Sequence, residues 1–232
     1  MASPANGQAP GREPLEAALA RLDLRSTALL VVDMQNDFCH PDGYYHGIGR
    51  SSELIRRAIP PIQVLLEAAR RAGLVVAFTR LVHDPSQPDM PDRHRIAPGG
   101  WAARERRLLP GSWGADVIDD LRPRPGEYVV DKADYSAFYG TNLEALLRRR
   151  GIRSLILVGT VTYACVLHTA FDAFARDFDV VIAAEGVSGW FDELQEPTLR
   201  IVELLLGRVA PVSTVLAAIE NSGVPGAEAA HV

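Results

Sequence analysis

Cysteine is scarce in this chain, because its 232 residues contain only Cys39 and Cys165. Two cysteines are far too few for the disulfide frameworks that hold small secreted domains together. The two have no CxxC spacing and the histidines form no HxH pair, so neither a zinc site nor a dithiol redox motif is indicated. We therefore predict no metal, no cofactor and a reduced thiol, which fits a cytoplasmic protein.

Long apolar runs and an excess of either charge are also absent. The net charge of −5 at pH 7 gives no general attraction to nucleic acid or to an anionic membrane. No apolar run approaches the roughly 20 residues that a membrane-spanning helix needs. Residues 1–13 lack the basic and apolar regions of a signal peptide. Nucleic-acid binding, membrane spanning and export are therefore not expected.

The chain does contain a regular alternation of strand-like apolar runs and amphipathic helical patterns, which is typical of βαβ units. We predict strands over residues 27–33, 74–80, 127–132, 154–159, 180–184 and 209–211. We predict helices over residues 51–72, 142–150, 165–177 and 197–206, with the pair Pro60 and Pro61 interrupting the first of them. The predicted fold class is α/β, a Rossmann-like three-layer α/β/α arrangement around a mostly parallel six-stranded sheet.

One domain of about this length can bury a single large core. We expect it to span residues 25–220, with flexible segments over residues 1–24 and 221–232. Residues 82–114 are rich in proline, aspartate and glycine and are too long for a simple connection. Loops of this length are commonly functional, so we predict a lid or a pocket wall there.

Three of the predicted strands lead directly into residues that carry chemistry, namely Asp33, Lys132 and Cys165. In an open parallel sheet, ligands bind outside the carboxyl ends of the strands. A carboxylate, an ammonium and a thiol that meet there are the parts of a nucleophilic cysteine hydrolase. The turn from Gly159 should place the sulfur at a helix N-terminus, where the macrodipole favours a thiolate and free N–H groups can hold an oxyanion.

Each of these residues also has a structural interpretation. Cys165 could be a small buried apolar side chain, Asp33 a helix cap, and Lys132 a surface residue at a strand end. Asp37, further along the first loop, competes with Asp33 for the catalytic role. A carboxylate that ends an apolar strand is costly unless it is paired or used in catalysis, so the three residues together favour the catalytic interpretation.

The segments that contain these residues are VVDMQNDF over 31–38, VDKADYSAF over 130–138 and GTVTYACV over 159–166. In this order they resemble the isochorismatase-like cysteine hydrolase superfamily, from about residue 27 to about residue 218. The resemblance implies a catalytic triad of Asp33, Lys132 and Cys165. It also implies a non-proline cis peptide bond between Thr160 and Val161, and an oxyanion hole formed by the N–H groups of Val161 and Cys165.

The reaction that the resemblance implies is cysteine-dependent hydrolysis of a C–N amide bond in a small molecule through a thioester. The segments PDGYY over 41–45 and GSWG over 111–114 resemble the ureidoacrylate and biuret amidohydrolase branch, and streptothricin hydrolase is a further relative. The amide is therefore of the ureido, carbamoyl or lactam type. Tyr163 stands where the family commonly has Asp or Asn, which leaves the substrate itself open.

The chain departs from the nicotinamidases, whose metal cluster follows the second strand. His83 is alone in that region, and we expect His40, His46, His94 and His168 to be loop or helix-face residues rather than ligands. The predicted substrate contacts are Asn36, Phe38, Tyr135, Phe138, Tyr163 and Trp190, and the aromatic ones could instead be packing residues. Candidates for binding a substrate carboxylate or ureido oxygen are Arg80, Arg93 and Arg95.

Three other functions stay open. Isochorismatase-type vinyl ether hydrolysis occurs on this fold without a cysteine nucleophile, so Cys165 argues against it. A non-catalytic binding protein would be expected to have lost one of the three residues. A redox role for Cys165 with Cys39 lacks a CxxC motif. The resemblance further implies a homodimer or a homotetramer.

Overall fold

The computed structural model of the protein describes residues 13–84, 86 and 107–221. The strands are β1 Thr27–Val32, β2 Val75–Leu81, β3 Tyr128–Lys132, β4 Ser154–Thr160, β5 Asp179–Ser188 and β6 Arg208–Ala210. The helices are α1 Leu15–Ala20, α2 Asn36–Cys39, α3 Tyr44–Gly47, α4 Ser52–Arg56, α5 Ile59–Arg71, α6 Leu143–Arg149, α7 Leu167–Phe174, α8 Gln195–Leu205 and α9 Val212–Asn221.

All six strands form one parallel sheet in the order β3-β2-β1-β4-β5-β6. The chain builds outward from β1 to β3, then returns to the other side of β1 with β4. The strand order therefore reverses between β1 and β4, and a crevice forms at the carboxyl ends of strands at such a point. Val32 at the end of β1 pairs with Thr79 on one side and with Gly159 on the other.

Alternate residues of each strand supply two separate apolar layers, one on each face of the sheet. Leu29 and Val31 of β1 belong to the layer that α5 and α9 cover. Ala28 and Leu30 belong to the opposite layer, which α6, α7 and α8 cover. The predicted three-layer α/β/α fold with a parallel six-stranded sheet is confirmed.

The helix predicted over residues 51–72 consists of two helices, α4 and α5. Pro60 and Pro61 lie in the first turn of α5, where the missing N–H groups have no helical partner to lose. The residues predicted as the start of the helix over 165–177 instead form a π-helical turn, Thr162–Val166, that leads into α7. The helices α2, α3 and α9 were not predicted, and β5 extends four residues beyond its predicted end at residue 184.

The segment for which flexibility is predicted at the N-terminus contains the helix α1. Leu19 of this helix is buried in the same apolar layer as Ile219 of α9, which explains why a helix forms there. Residues 1–12 and 222–232 lie outside the described residues, as does most of the long loop over 82–114. The domain limits at 25 and 220 stay predictions. Within the described ranges, none of the helices has the length and apolar character to cross a bilayer.

Candidate active site

Asp33, Lys132 and Cys165 meet at the carboxyl edge of the sheet, although β3 and β4 are separated by two other strands. The ammonium nitrogen of Lys132 lies 2.7 Å from Oδ2 of Asp33, and both side chains are fully buried. The Cys165 thiol lies close enough to both groups for each of them to affect its pKa. An acid, a base and a nucleophile in mutual contact can exchange a proton without solvent.

The carboxylate of Asp33 is held from both sides. Its Oδ1 accepts a 2.6 Å hydrogen bond from the hydroxyl of Thr79 on β2, while Oδ2 faces Lys132. The Lys132 ammonium also donates to the backbone oxygen of Asp134 at 2.8 Å. Burial by itself would lower the pKa of Lys132, but the charges and hydrogen bonds of Asp33 and Cys165 outweigh it and raise that pKa. The lysine is therefore a permanent cation in the site.

Local backbone geometry directs these side chains into the crevice. Asp33 has a φ of 51°, a left-handed conformation that turns the chain immediately after β1. Gly159 has a φ of 118°, and a Cβ at this position would lie 2.1 Å from the backbone oxygen of Val32. Only glycine permits this close approach of β4 to β1. The turn toward Cys165 begins at this glycine.

The sulfur of Cys165 is a thiol rather than a thiolate in this structure. Burial raises the pKa of Cys165 to about 12, with the charge of Lys132 opposing and that of Asp33 adding to the shift. Burial therefore works against the thiolate that the sequence predicts at a helix N-terminus. The π-helical turn around Cys165 does not outweigh the loss of hydration at a sulfur that is fully enclosed.

This protonated thiol makes a testable prediction for alkylation. We expect Cys165 to react with iodoacetamide at pH 7 at least about 100-fold more slowly than free cysteine, because the thiolate fraction is small. The alkylation rate of Cys165 should still rise about tenfold per pH unit up to pH 10, where the rate of free cysteine no longer increases. Peptide mapping by mass spectrometry separates it from Cys39, and a plateau below pH 8 would contradict the protonated state.

The backbone before the cysteine has the predicted arrangement. The peptide bond between Thr160 and Val161 is cis, and the backbone N–H of Val161 lies close enough to the Cys165 sulfur to lower the pKa of the thiol. The Thr160 hydroxyl donates to the backbone oxygen of Ser188 at 3.0 Å, which ties this turn to the end of β5. An N–H donor that touches the nucleophile is in a suitable position for the oxyanion of an attacked carbonyl.

In the loop after Asp33, polar side chains form hydrogen bonds with backbone groups. The Asn36 amide donates to the backbone oxygen of Trp113 at 2.8 Å, so its amide group is committed to the loop. Asp37 accepts backbone N–H bonds from Tyr44 at 3.1 Å and Leu108 at 2.7 Å. Asp37 is therefore an anchor for two loops and does not compete with Asp33. A contact of Asn36 with a substrate stays a prediction.

Phe38, Tyr163 and Trp190 lie together at one side of the crevice. The rings of Phe38 and Trp190 stack with centroids 5.8 Å apart, and Tyr45 packs on both. The Tyr163 hydroxyl accepts a 3.2 Å hydrogen bond from the backbone N–H of Trp190. Burial raises the pKa of the Tyr163 phenol. These three predicted contacts thus form a continuous aromatic wall that begins two residues before Cys165.

The other two predicted aromatic contacts differ from each other. Tyr135 is 43% exposed and packs near His168 at 5.2 Å, so it lies at the surface. Phe138 is buried against Phe178, which precedes β5 and so lies at the amino end of that strand. A side chain at that end of the strand packs in the core, away from the carboxyl edge of the sheet. We therefore do not include Phe138 among the residues of the site.

The arginine and histidine candidates also have defined surroundings. Arg80 forms a bidentate pair with Asp131 at 2.7 and 3.0 Å and a further bond to Asp116, so it is not available to a substrate. Arg93, Arg95 and His94 lie outside the described residues. His46 contacts Ser52, and His168 contacts the backbone of Ala164. Within residues 13–84, 86 and 107–221, no group of three or more potential ligands could hold a metal ion.

The two cysteines are both free, and they lie in different apolar layers of the sheet. Cys39 belongs to the layer that contains α5, whereas Cys165 belongs to the layer that contains α7. Burial raises the pKa of the Cys39 thiol strongly. The redox interpretation, which requires the two sulfurs to meet, is therefore wrong.

Two buried polar residues of the site were missed in the sequence. Thr79 holds Asp33, and Gln35 uses its amide to bond the backbone of Leu81 and Ala115 at 2.8 to 2.9 Å. Thr79 follows four apolar residues of β2, which is a weak signal of a buried role. Gln35 lies in a loop, where a polar residue is expected and attracts no notice.

Comparison with known proteins shows the family to which this chain is similar. The isochorismatase domain matches residues 27–215 of the chain. Ureidoacrylate amidohydrolase RutB of Methylorubrum extorquens is 34% identical over 213 residues, which cover 86% of this chain and 85% of that protein. A cysteine hydrolase from Pseudomonas syringae pv. phaseolicola has a similar structure, with a TM-score of 0.78, 26% identity, and coverage of 87% of this chain and 95% of that one.

N-carbamoylsarcosine amidase from Thermoplasma acidophilum is also similar, with a TM-score of 0.66, 32% identity, and coverage of 81% of this chain and 96% of that one. The domain match includes β1, β3 and β4, the strands that position Asp33, Lys132 and Cys165. With its parallel sheet, the cis peptide bond before Cys165 and a match along most of its length, the chain belongs to the isochorismatase family.

Proposed function

We propose that the protein is a cysteine-dependent amidohydrolase that cleaves a C–N bond of a small ureido, carbamoyl or lactam substrate. The observation that carries the proposal is the buried contact of the Cys165 thiol with both Asp33 and Lys132, which are themselves 2.7 Å apart. The names of the ureidoacrylate amidohydrolase and the N-carbamoylsarcosine amidase among the similar proteins support the same bond type.

In the first step, Asp33 accepts the thiol proton as the sulfur attacks the amide carbonyl. A thiol of raised pKa needs this base, since only a small fraction of it is ionised at neutral pH. Lys132 stays charged and stabilises the negative charge that moves from Asp33 to the sulfur and onward to the substrate. The developing oxyanion is held by the backbone N–H groups of Val161 and Cys165.

Asp33 then returns the proton to the leaving nitrogen, and the C–N bond breaks. The product of this step is a thioester on Cys165, with the amine or ammonia released. Asp33 next takes a proton from a water molecule that attacks the thioester. The C–S bond then breaks, the acid product leaves, and Asp33 returns the proton to the Cys165 sulfur. The same carboxylate acts as base and acid in turn, which requires it to stay oriented toward the sulfur.

The proposal is tested by trapping the acyl-enzyme. The protein would be mixed with a panel of ureidoacrylate, biuret, N-carbamoyl amino acids, nicotinamide and a streptothricin lactam, and quenched in acid. We expect amine or ammonia release for at least one amide, with the matching acyl mass on the peptide that contains Cys165. Release without an adduct at any quench time, or an adduct on Cys39, would contradict the thioester route.

Two other outcomes would support the alternatives. Turnover of isochorismate without any reaction of the amides would favour vinyl ether hydrolysis. Binding of the amides without release of product would favour a non-catalytic role on the same fold. A homodimer or homotetramer and a cytoplasmic location stay predictions.

Thr79 gives a further prediction, because it positions the base. Thr79→Val should lower kcat/KM about 10- to 100-fold, since the buried Oδ1 of Asp33 loses its hydroxyl partner. Thr79→Ser keeps the hydroxyl and should restore most of the activity. The loss in Thr79→Val should fall on kcat rather than on KM, because the hydroxyl orients the base. An unchanged kcat with a lower Tm would indicate a purely structural role.

A further inference from the structure

Arg107 is an arginine whose guanidinium has an unusual environment in this protein. Its Cζ lies 4.9 Å from the ring centroid of Tyr45 and 5.6 Å from that of Tyr44. Its Nε is shielded from solvent and has no hydrogen-bond partner among the described residues. The half-buried arginines elsewhere bind carboxylates, as Arg70 does with Glu127 and Arg176 with Asp172. A buried donor without an acceptor is costly unless a ligand supplies one.

A second unused donor lies on the same aromatic cluster. The indole Nε1 of Trp190 is also shielded from solvent without a hydrogen-bond partner in the described part of the chain. The ring of Trp190 packs on Tyr45 with centroids 4.4 Å apart. Tyr45 thus contacts both Arg107 and Trp190. Indole N–H groups in buried positions normally find an acceptor, so two vacant donors on one aromatic cluster point to a ligand with acceptor oxygens.

This cluster borders the proposed active site. Trp190 follows β5 by two residues, and its backbone N–H bonds the hydroxyl of Tyr163, two residues before Cys165. Phe38, which stacks on Trp190, is five residues after Asp33. The aromatic cluster is therefore joined to the two segments that position Asp33 and Cys165.

We propose that Arg107 binds a carboxylate of the amide substrate and that the indole N–H of Trp190 bonds a second acceptor oxygen of the same molecule. The substrates are then amides of small acids with a negative charge remote from the scissile bond. A guanidinium stacked on aromatic rings keeps the donors at its edge free for a bidentate carboxylate. This proposal rests on the proposed function for the position of the scissile amide, and it adds the residues that select the acid.

The experiment compares 3-ureidopropionate with n-propylurea, which share the ureido group and differ by the carboxylate. In wild type we expect KM for the acid to be lower than for the neutral ureide by about 10- to 100-fold. Arg107→Gln should remove this preference by raising KM for the acid, with kcat and the neutral ureide little changed. Arg107→Lys should recover part of the preference, and Trp190→Phe should raise KM for the acid by a few fold. Arg149→Gln, at an exposed arginine of α6, is the matched control and should change nothing.

Binding is measured separately by calorimetry with the same two ligands on Cys165→Ala protein, with and without Arg107→Gln. Equal affinity for the acid and the neutral ureide would overturn the proposal that Arg107 binds the carboxylate. An affinity for the acid that Arg107→Gln leaves unchanged would overturn it as well. Loss of binding accompanied by a lower Tm in both Arg107→Gln and Arg107→Lys would also overturn it, since the residue would then be structural. If the protein binds the acid through Arg107 but releases no amine, the carboxylate site is supported and the proposed function fails.

Discussion

Cys165→Ala is expected to lower amide turnover by a factor of about 10⁴ or more, to the level of the remaining binding and oxyanion groups. The sulfur is the only group of the site that can form the thioester, so the variant should bind substrate and release no amine. Turnover is measured as ammonia or amine release under single-substrate saturation. The fold should be retained, because the lost sulfur leaves only a small gap in its apolar layer.

Cys39→Ala is the matched control for this result. Cys39 is buried like Cys165, but it lies in the other apolar layer of the sheet. It should keep wild-type kcat/KM with a modestly lower Tm. Retention of turnover in Cys165→Ala, or an equal loss in Cys39→Ala, would contradict a nucleophilic role for Cys165.

Lys132→Met is expected to reduce stability more than any other single change in the site. It removes the cation that pairs with Asp33 and leaves a fully buried carboxylate without its charged partner. Breaking a buried ion pair from one side costs about 3 to 5 kcal/mol in the free energy of unfolding. Turnover should be lost as well, because the negative charge of the site has no counter-charge. Urea unfolding at pH 7 measures the first effect through the midpoint at unchanged slope.

A double-mutant cycle separates the contribution of the ion pair to stability from the effects of its single residues. Asp33→Asn should lower turnover about 10²- to 10⁴-fold, the range expected for a lost general base. Asp33→Asn combined with Lys132→Met removes both charges, so it should be more stable than Lys132→Met alone while staying inactive. A double variant no more stable than the single one would show that the ion pair does not carry the stability. Recovery of turnover in the double variant would contradict the proposed roles of both residues.

Much of the fold could be predicted because its signals are local. The strands β1 and β4 are continuous apolar runs, the form expected for strands that are covered on both faces. Asp33 and Lys132 end such runs, so their meeting at the carboxyl edge follows from the parallel order of the sheet. The start of α5 at its two prolines followed from the same local chemistry. The π-helical turn around Cys165 has no such signal, because it depends on how the turn after β4 packs.

The residues that complete the site were harder to find, because their partners are distant in sequence. Thr79 lies 46 residues from Asp33, and its role depends on the pairing of β2 with β1. Phe138 lies in the same segment of sequence as Lys132, yet its ring packs against Phe178. Arg107 was not a candidate at all, whereas Arg80, the better-placed arginine in sequence, is bound to two aspartates.

The sequence by itself determined the α/β class, the strand ends that hold Asp33 and Lys132, the position of Cys165 after β4 and the glycine turn before it. These follow from hydrophobic period, residue chemistry and glycine geometry, which act over a few neighbouring positions. Only the tertiary structure decided the protonation of the thiol, the loop-anchoring role of Asp37 and the separation of the two cysteines by the sheet. Each of these depends on burial and on contacts between distant segments, and such contacts exist only once the sheet has assembled.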